Sequence, residues 1–135
     1  MKTLTTLAIV AMSFLPLAAQ DAATPGDPHK QAVSLYQQGM SAYQRKDYLG
    51  YLENLQKAVD LDPDHPTLLY RLACASALVG NKDETLSHLK RVIEMKIYQD
   101  LADNPDFDSM NQMPEYQAVA AAMKAVKDPI SNSVP

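Results

Sequence analysis

Three histidines, one cysteine and a run of carboxylates are the residues of this 135-residue chain whose types could do chemistry. A zinc site asks for His and Cys ligands at close, fixed spacings, because several donors must reach one tetrahedral ion. His29, His65 and His88 stand far apart, and none belongs to an HxxxH or Cys/His pairing. Asp100, Asp103, Asp106 and Asp108 in QDLADNPDFDSMNQ raise calcium instead. A calcium loop needs oxygen ligands at alternating positions and a glycine at its sharp bend, and no glycine follows Gly80. These carboxylates are expected in helix caps and solvated turns. Cys74 lies in the apolar run LLYRLACASALVG, where nothing supplies the base or polarising group a nucleophilic thiol needs. No nucleophile motif surrounds any serine. The residues therefore predict no catalytic group, no metal and no cofactor.

Composition narrows the classes further. A chain of this length holds one small domain at most. Its hydrophobic fraction of 47%, with no tryptophan and 7% aromatics, is ordinary for a folded domain. A net charge of -4, with no block of Lys or Arg, gives no footprint for a phosphate backbone, so nucleic acid is not an expected partner. Residues 1–19, MKTLTTLAIVAMSFLPLAA, set Lys2 before an apolar run and small residues after it, the order of a secretory signal. That run is too short for a membrane span, which takes roughly 20 residues. The sequence predicts export, with cleavage near Ala19 and a periplasmic or secreted mature chain. Cys74 has no partner cysteine in this chain, so the fold must stand on packing.

From about His29 onward the apolar residues recur with a helical period. After a linker at 20–29, helices are predicted over 30–45 and 47–61, then DPDHP breaks the chain and Pro66 opens a third helix in its first turn. That helix runs to Val79, where Gly80-Asn81 can take the left-handed turn that ends it. A fourth fills 82–96. Asn104-Pro105 reads as the cap and first turn of a short helix, and 113–126 as a final amphipathic helix carrying Tyr116, Val119, Ala120, Met123 and Val126 on one stripe. The residues 128–135, DPISNSVP, read as a disordered tail.

A shift of 34 residues lays the second half of this pattern on the first. Leu35 falls on Leu69, Gly39 on Ala73, Ala42 on Ser76, Asp47 on Asn81, Leu52 on Leu86, Leu55 on Leu89 and Ala58 on Val92. Two helices per 34-residue unit is the period of a tetratricopeptide repeat. On these residues, and on LDP at 61–63, the spans 30–63 and 64–97 resemble two tetratricopeptide repeats. The phrase NPDFDSMNQMPEYQAV resembles the end of many bacterial members, where a short helix and a capping helix over 98–127 replace a third repeat. Tyr51 departs from the family, which usually has alanine there.

The resemblance implies an all-α solenoid of antiparallel helix pairs. It also implies a concave groove lined by the first helix of each repeat: Val33, Tyr36, Met40, Tyr43 and Gln44, then Thr67, Tyr70, Cys74, Ala77 and Leu78. Tyrosine and methionine suit a peptide surface, through contact area with a polar handle and through adaptable packing. The alternative is that the C-terminal segment folds over and fills the groove. Lys and Asn, with which chaperone-tail binders of this family clamp a terminal carboxylate, are replaced here by Tyr36, Met40, Tyr70 and Cys74. The expected function is a non-catalytic interaction module binding a protein or peptide partner. A second expectation is an accessory region like that ahead of gluconolactonase-like β-propeller enzymes, and a third is weak self-association through an exposed repeat edge.

Overall fold

A computed structural model describes residues 26–127. The predicted signal segment, most of the predicted linker and the predicted tail lie outside the described residues. Within them the fold is all-helical: α1 (Pro28–Gln44), α2 (Tyr48–Leu61), α3 (Pro66–Leu78), α4 (Lys82–Glu94), a 3-10 helix (Pro105–Met110) and α5 (Pro114–Lys127), packed on one another. No described helix is long and apolar enough to cross a membrane.

Local chemistry sets the helix starts. Asp27 accepts from the His29 N–H at 3.0 Å and Asp47 from the Gly50 N–H at 2.9 Å, each satisfying one donor that a first turn leaves free. Pro28, Pro66 and Pro105 occupy first turns, where a missing N–H costs nothing. The capping by Asp27 starts α1 at Pro28, inside the span read as linker. Glu115 in the first turn of α5 and Lys124 and Lys127 in its last complement the helix dipole.

The helix ends repeat one geometry. At the end of α1 the Asp47 N–H donates to the Ala42 carbonyl at 3.0 Å and Lys46 N–H to the Tyr43 carbonyl at 2.9 Å, with Lys46 at φ 60°. Thirty-four positions later Asn81 N–H reaches Ser76 at 2.8 Å and Gly80 N–H reaches Ala77 at 3.1 Å, with Gly80 at φ 84°. This is the doubly bonded cap that turns a helix through one left-handed residue. It closes α4 as well, with Lys96 at φ 60°. Lysine at two of these places adopts a conformation that glycine takes without steric cost.

Packing centres on α3. Nine of its thirteen residues are buried, from Leu68 through Ala77 with only Arg71 standing out, so it is covered nearly all round. The small side chains Ala73, Ala75 and Ala77 let α2, α4 and the 3-10 helix approach it. Equivalent positions 34 apart share this core: Leu55 and Leu89, Ala58 and Val92, Tyr51 and Thr85 are all buried. Tyr51 is fully enclosed, its ring 5.1 Å from that of Tyr43. Gly39 faces it across the α1–α2 crossing: a Cβ built there would lie 3.5 Å from Tyr51 Cδ2 and 3.5 Å from Leu55 Cγ. The room for that ring therefore comes from the helix separation as well as from glycine.

Candidate functional site

The face built by α1 and α3 is the one on which the predicted groove residues fall, and the chain itself occupies part of it. After α4 the backbone returns across α3, and Asn104 donates from Nδ2 to the Tyr70 hydroxyl at 2.7 Å and to Cys74 Sγ at 3.5 Å. The Tyr70 hydroxyl in turn donates to the Asp100 carbonyl at 3.2 Å. One residue pair further on, the Tyr43 hydroxyl donates to Asp106 Oδ1 at 2.9 Å. Phe107 follows, with no exposed surface and its ring edge-on to Tyr70 at 6.2 Å and near Tyr116 at 5.6 Å. Asp106 is thus buried and bonded to a phenol, not placed in a solvated turn as its sequence context suggests.

The six singled-out groove residues divide accordingly. Tyr70 and Cys74 are buried under the segment 98–110, and the half-buried Tyr43 is tied to it. Leu78 is half-buried against the core. Tyr36 and Met40 are half-buried and pack against the core from α1, and Tyr36 still borders open space. Residues 98–110 thus cover the second half of this face.

The first half stays open as a cleft of about 330 Å³ between the start of α1 and the start of α3. Ala32, Val33 and Tyr36 on one side and Thr67 and Leu68 on the other make its wall largely apolar. Val33 is 43% exposed there. At the mouth His29 Nδ1 lies 3.5 Å from Asp62 Oδ2, and on the rim His65 Nδ1 is buried without a hydrogen-bond partner among the described residues. Proline-bounded DPDHP, read as a helix break, is also what delivers Asp62 and His65 to this cleft. Helical periodicity could not reveal that, because it reports which face a residue takes and not which loop closes over it.

A larger cleft of about 600 Å³ lies between residues 98–103 and α5. Its rim is polar, with Asp100 and Asp103 on one side and Lys124 and Lys127 on the other; Lys127 Nζ sits 5.1 Å over the Tyr98 ring. It contains none of the predicted groove residues, and its charges are of both signs.

The chemistry available at the α1–α3 face is that of contact and hydrogen bonding. Burial, with the Asp106 charge second, pushes the Cys74 thiol up to about 12, so at neutral pH it is a neutral, poorly nucleophilic group. The Asp106 hydrogen bond and then burial push the Tyr43 phenol up to about 12, so it remains a donor. Among the described residues no three His, Cys, Asp or Glu side chains gather as metal ligands would. No known protein family, curated protein or solved structure matches this sequence.

Proposed function

We propose that this chain is an exported, non-catalytic scaffold of the tetratricopeptide type, two repeats closed by a capping region, that holds a segment of another protein. The segment docks in the cleft between α1 and α3, against Val33, Tyr36 and Leu68, and does not extend over Tyr70 and Cys74. The single observation that carries this reading is the division of the α1–α3 face: residues 98–110 fill one half, while an apolar, open cleft remains on the other. The repeat assignment is supported by the same left-handed cap recurring 34 residues apart, at Lys46 and Gly80.

Occupation by the chain's own segment has an energetic reason. A unit of two helix pairs leaves an apolar face uncovered at each end, and the stack is stable only when that face is buried. Phe107 and Met110, both fully buried on the 3-10 helix that packs against α3, cover part of that apolar surface. What is left open on this face is small: the exposed Val33 and the half-buried ring of Tyr36, with the buried Leu68 as a wall. Such an apolar recess with a polar rim takes one or two side chains of an extended segment. A partner captured through this site should be lost on replacing Val33 by Asp or Tyr36 by Ala, with the circular dichroism spectrum unchanged. Capture that survives both changes would place the partner elsewhere.

A further inference from the structure

Arg71 stands one turn beyond the cleft along α3, four residues after Thr67. It is the single residue between Leu68 and Ala77 that is not buried, and it is only half exposed. Its guanidinium carbon lies 6.0 Å from the centre of the Tyr70 ring. The ion pairs formed among the described residues use His29, Lys57 and Arg91, and Arg71 has none. Among the described residues, Arg71 Nε and the hydroxyl of Tyr51 are both enclosed with no hydrogen-bond partner at bonding geometry. The groups that face Arg71 are the phenols of Tyr51, Tyr36 and Tyr70 and the thiol of Cys74. Asp106, the buried carboxylate of this face, is committed to Tyr43.

A half-buried cation with no carboxylate within ion-pair distance is costly, because it has lost part of its water and gained no direct partner in return. Phenol rings soften that cost through their faces but do not accept the planar N–H fork as a carboxylate does. We infer that Arg71 is the anchor for a carboxylate of the docked segment, an acidic side chain whose neighbouring apolar residue fills the Val33–Tyr36–Leu68 cleft. Tyr36 lines the cleft and also faces Arg71. This assignment rests on the docking reading above and adds the chemistry of the ligand. The chain as a whole carries a net charge of -4, so nothing but a local contact would hold an anion here.

The test uses small probes, so that it does not depend on the partner. The Nε–H signals of the arginines are followed by NMR in the full chain while isovalerate is added, with isoamyl alcohol and sodium chloride as controls. Isovalerate should give a saturable shift of the Arg71 signal, and the alcohol and chloride should not. Arg71→Gln should weaken isovalerate by about tenfold, as expected for losing a charge-assisted hydrogen-bonded pair, and Arg71→Lys should recover part of it. An isovalerate curve no different from that of chloride, in the unaltered chain, overturns the assignment whatever the variants do. Loss of the isovalerate response with partner capture still dependent on Val33 and Tyr36 would remove the carboxylate anchor alone. The reverse pattern would remove the docking reading alone.

Discussion

Asn104 and Tyr70 are 34 positions apart in sequence and meet at 2.7 Å, the amide of one donating to the phenol of the other. The same asparagine accepts from the Asp106 N–H at 3.0 Å and so caps the short helix that carries Phe107. One side chain therefore both begins that helix and fastens it to α3. Replacing Asn104 by Ala should destabilise the fold by about 1–2 kcal/mol, the sum expected for a lost cap and a lost partly buried hydrogen bond. Urea denaturation checks this, and a midpoint equal to that of the unaltered chain would contradict it.

Phe107 is the apolar counterpart of that fastening. With its ring fully enclosed between Tyr70 and Tyr116, Phe107→Ala should cost about 3–5 kcal/mol through lost burial and the cavity left behind. The expected result is a large drop in thermal midpoint. A cost under about 1 kcal/mol, typical of surface sites, would mean the segment is not part of the core.

Cys74 reports on the same segment without denaturation. Its thiol is buried beneath Asn104 and raised to about 12, chiefly by burial, so few molecules carry the reactive thiolate at pH 8. Labelling with a disulfide reagent should run ~100-fold slower in the folded chain than in urea. It should accelerate in Asn104→Ala. Equal rates in folded and unfolded chain would show the thiol to be open to solvent.

Gly39 bears on the crossing of α1 and α2. Because an added Cβ would sit 3.5 Å from its nearest neighbours, an ordinary contact, Gly39→Ala should fit and raise stability by about 0.5–1 kcal/mol through helix propensity. A fall in the urea midpoint would show that Tyr51 and Leu55 cannot accept the methyl group.

His88 gives the pH dependence a sign. Burial lowers its pKa, more than the Glu84 charge raises it, so the folded chain binds this proton less readily than the unfolded chain. The stability it confers is complete above the ordinary histidine value of about 6.5 and is lost as pH falls through the lowered value. Unfolding free energies measured from pH 8 down to pH 5 should fall less steeply in His88→Gln than in the unaltered chain. Parallel curves would show that His88 carries none of this pH dependence.

The helices were legible in the sequence because each boundary has a short-range cause: Asp47 as a cap, Pro66 in a first turn, Gly80 in a left-handed turn. The offset that pairs Leu55 with Leu89 was legible too, since buried positions recur wherever the same packing problem recurs. What lay hidden was long-range. Nothing near Asp106 signals that it meets Tyr43, 63 positions away, and the Asp-rich context points to solvent. Arg71 was missed for a related reason: a single arginine in an apolar helix looks like its exposed edge until the carboxylates around it can be counted. Helical spacing sets Tyr70 and Cys74 on one face of α3, yet it could not say that the chain would return to cover them.

The proposed partner segment seats in the cleft beside Val33 and nowhere on the outer face. Photo-crosslinking tests it most directly, with benzoylphenylalanine placed in the full chain at Val33 or, as control, at the exposed Leu49 of α2. After irradiation in an extract of the native cells, adducts are mapped to the partner's cross-linked peptide. One recurring peptide is expected at position 33, containing an acidic residue beside an apolar one, absent at position 49 and lost when Tyr36→Ala is added. Adducts of the same kind at both positions, or none at position 33, would contradict this seating.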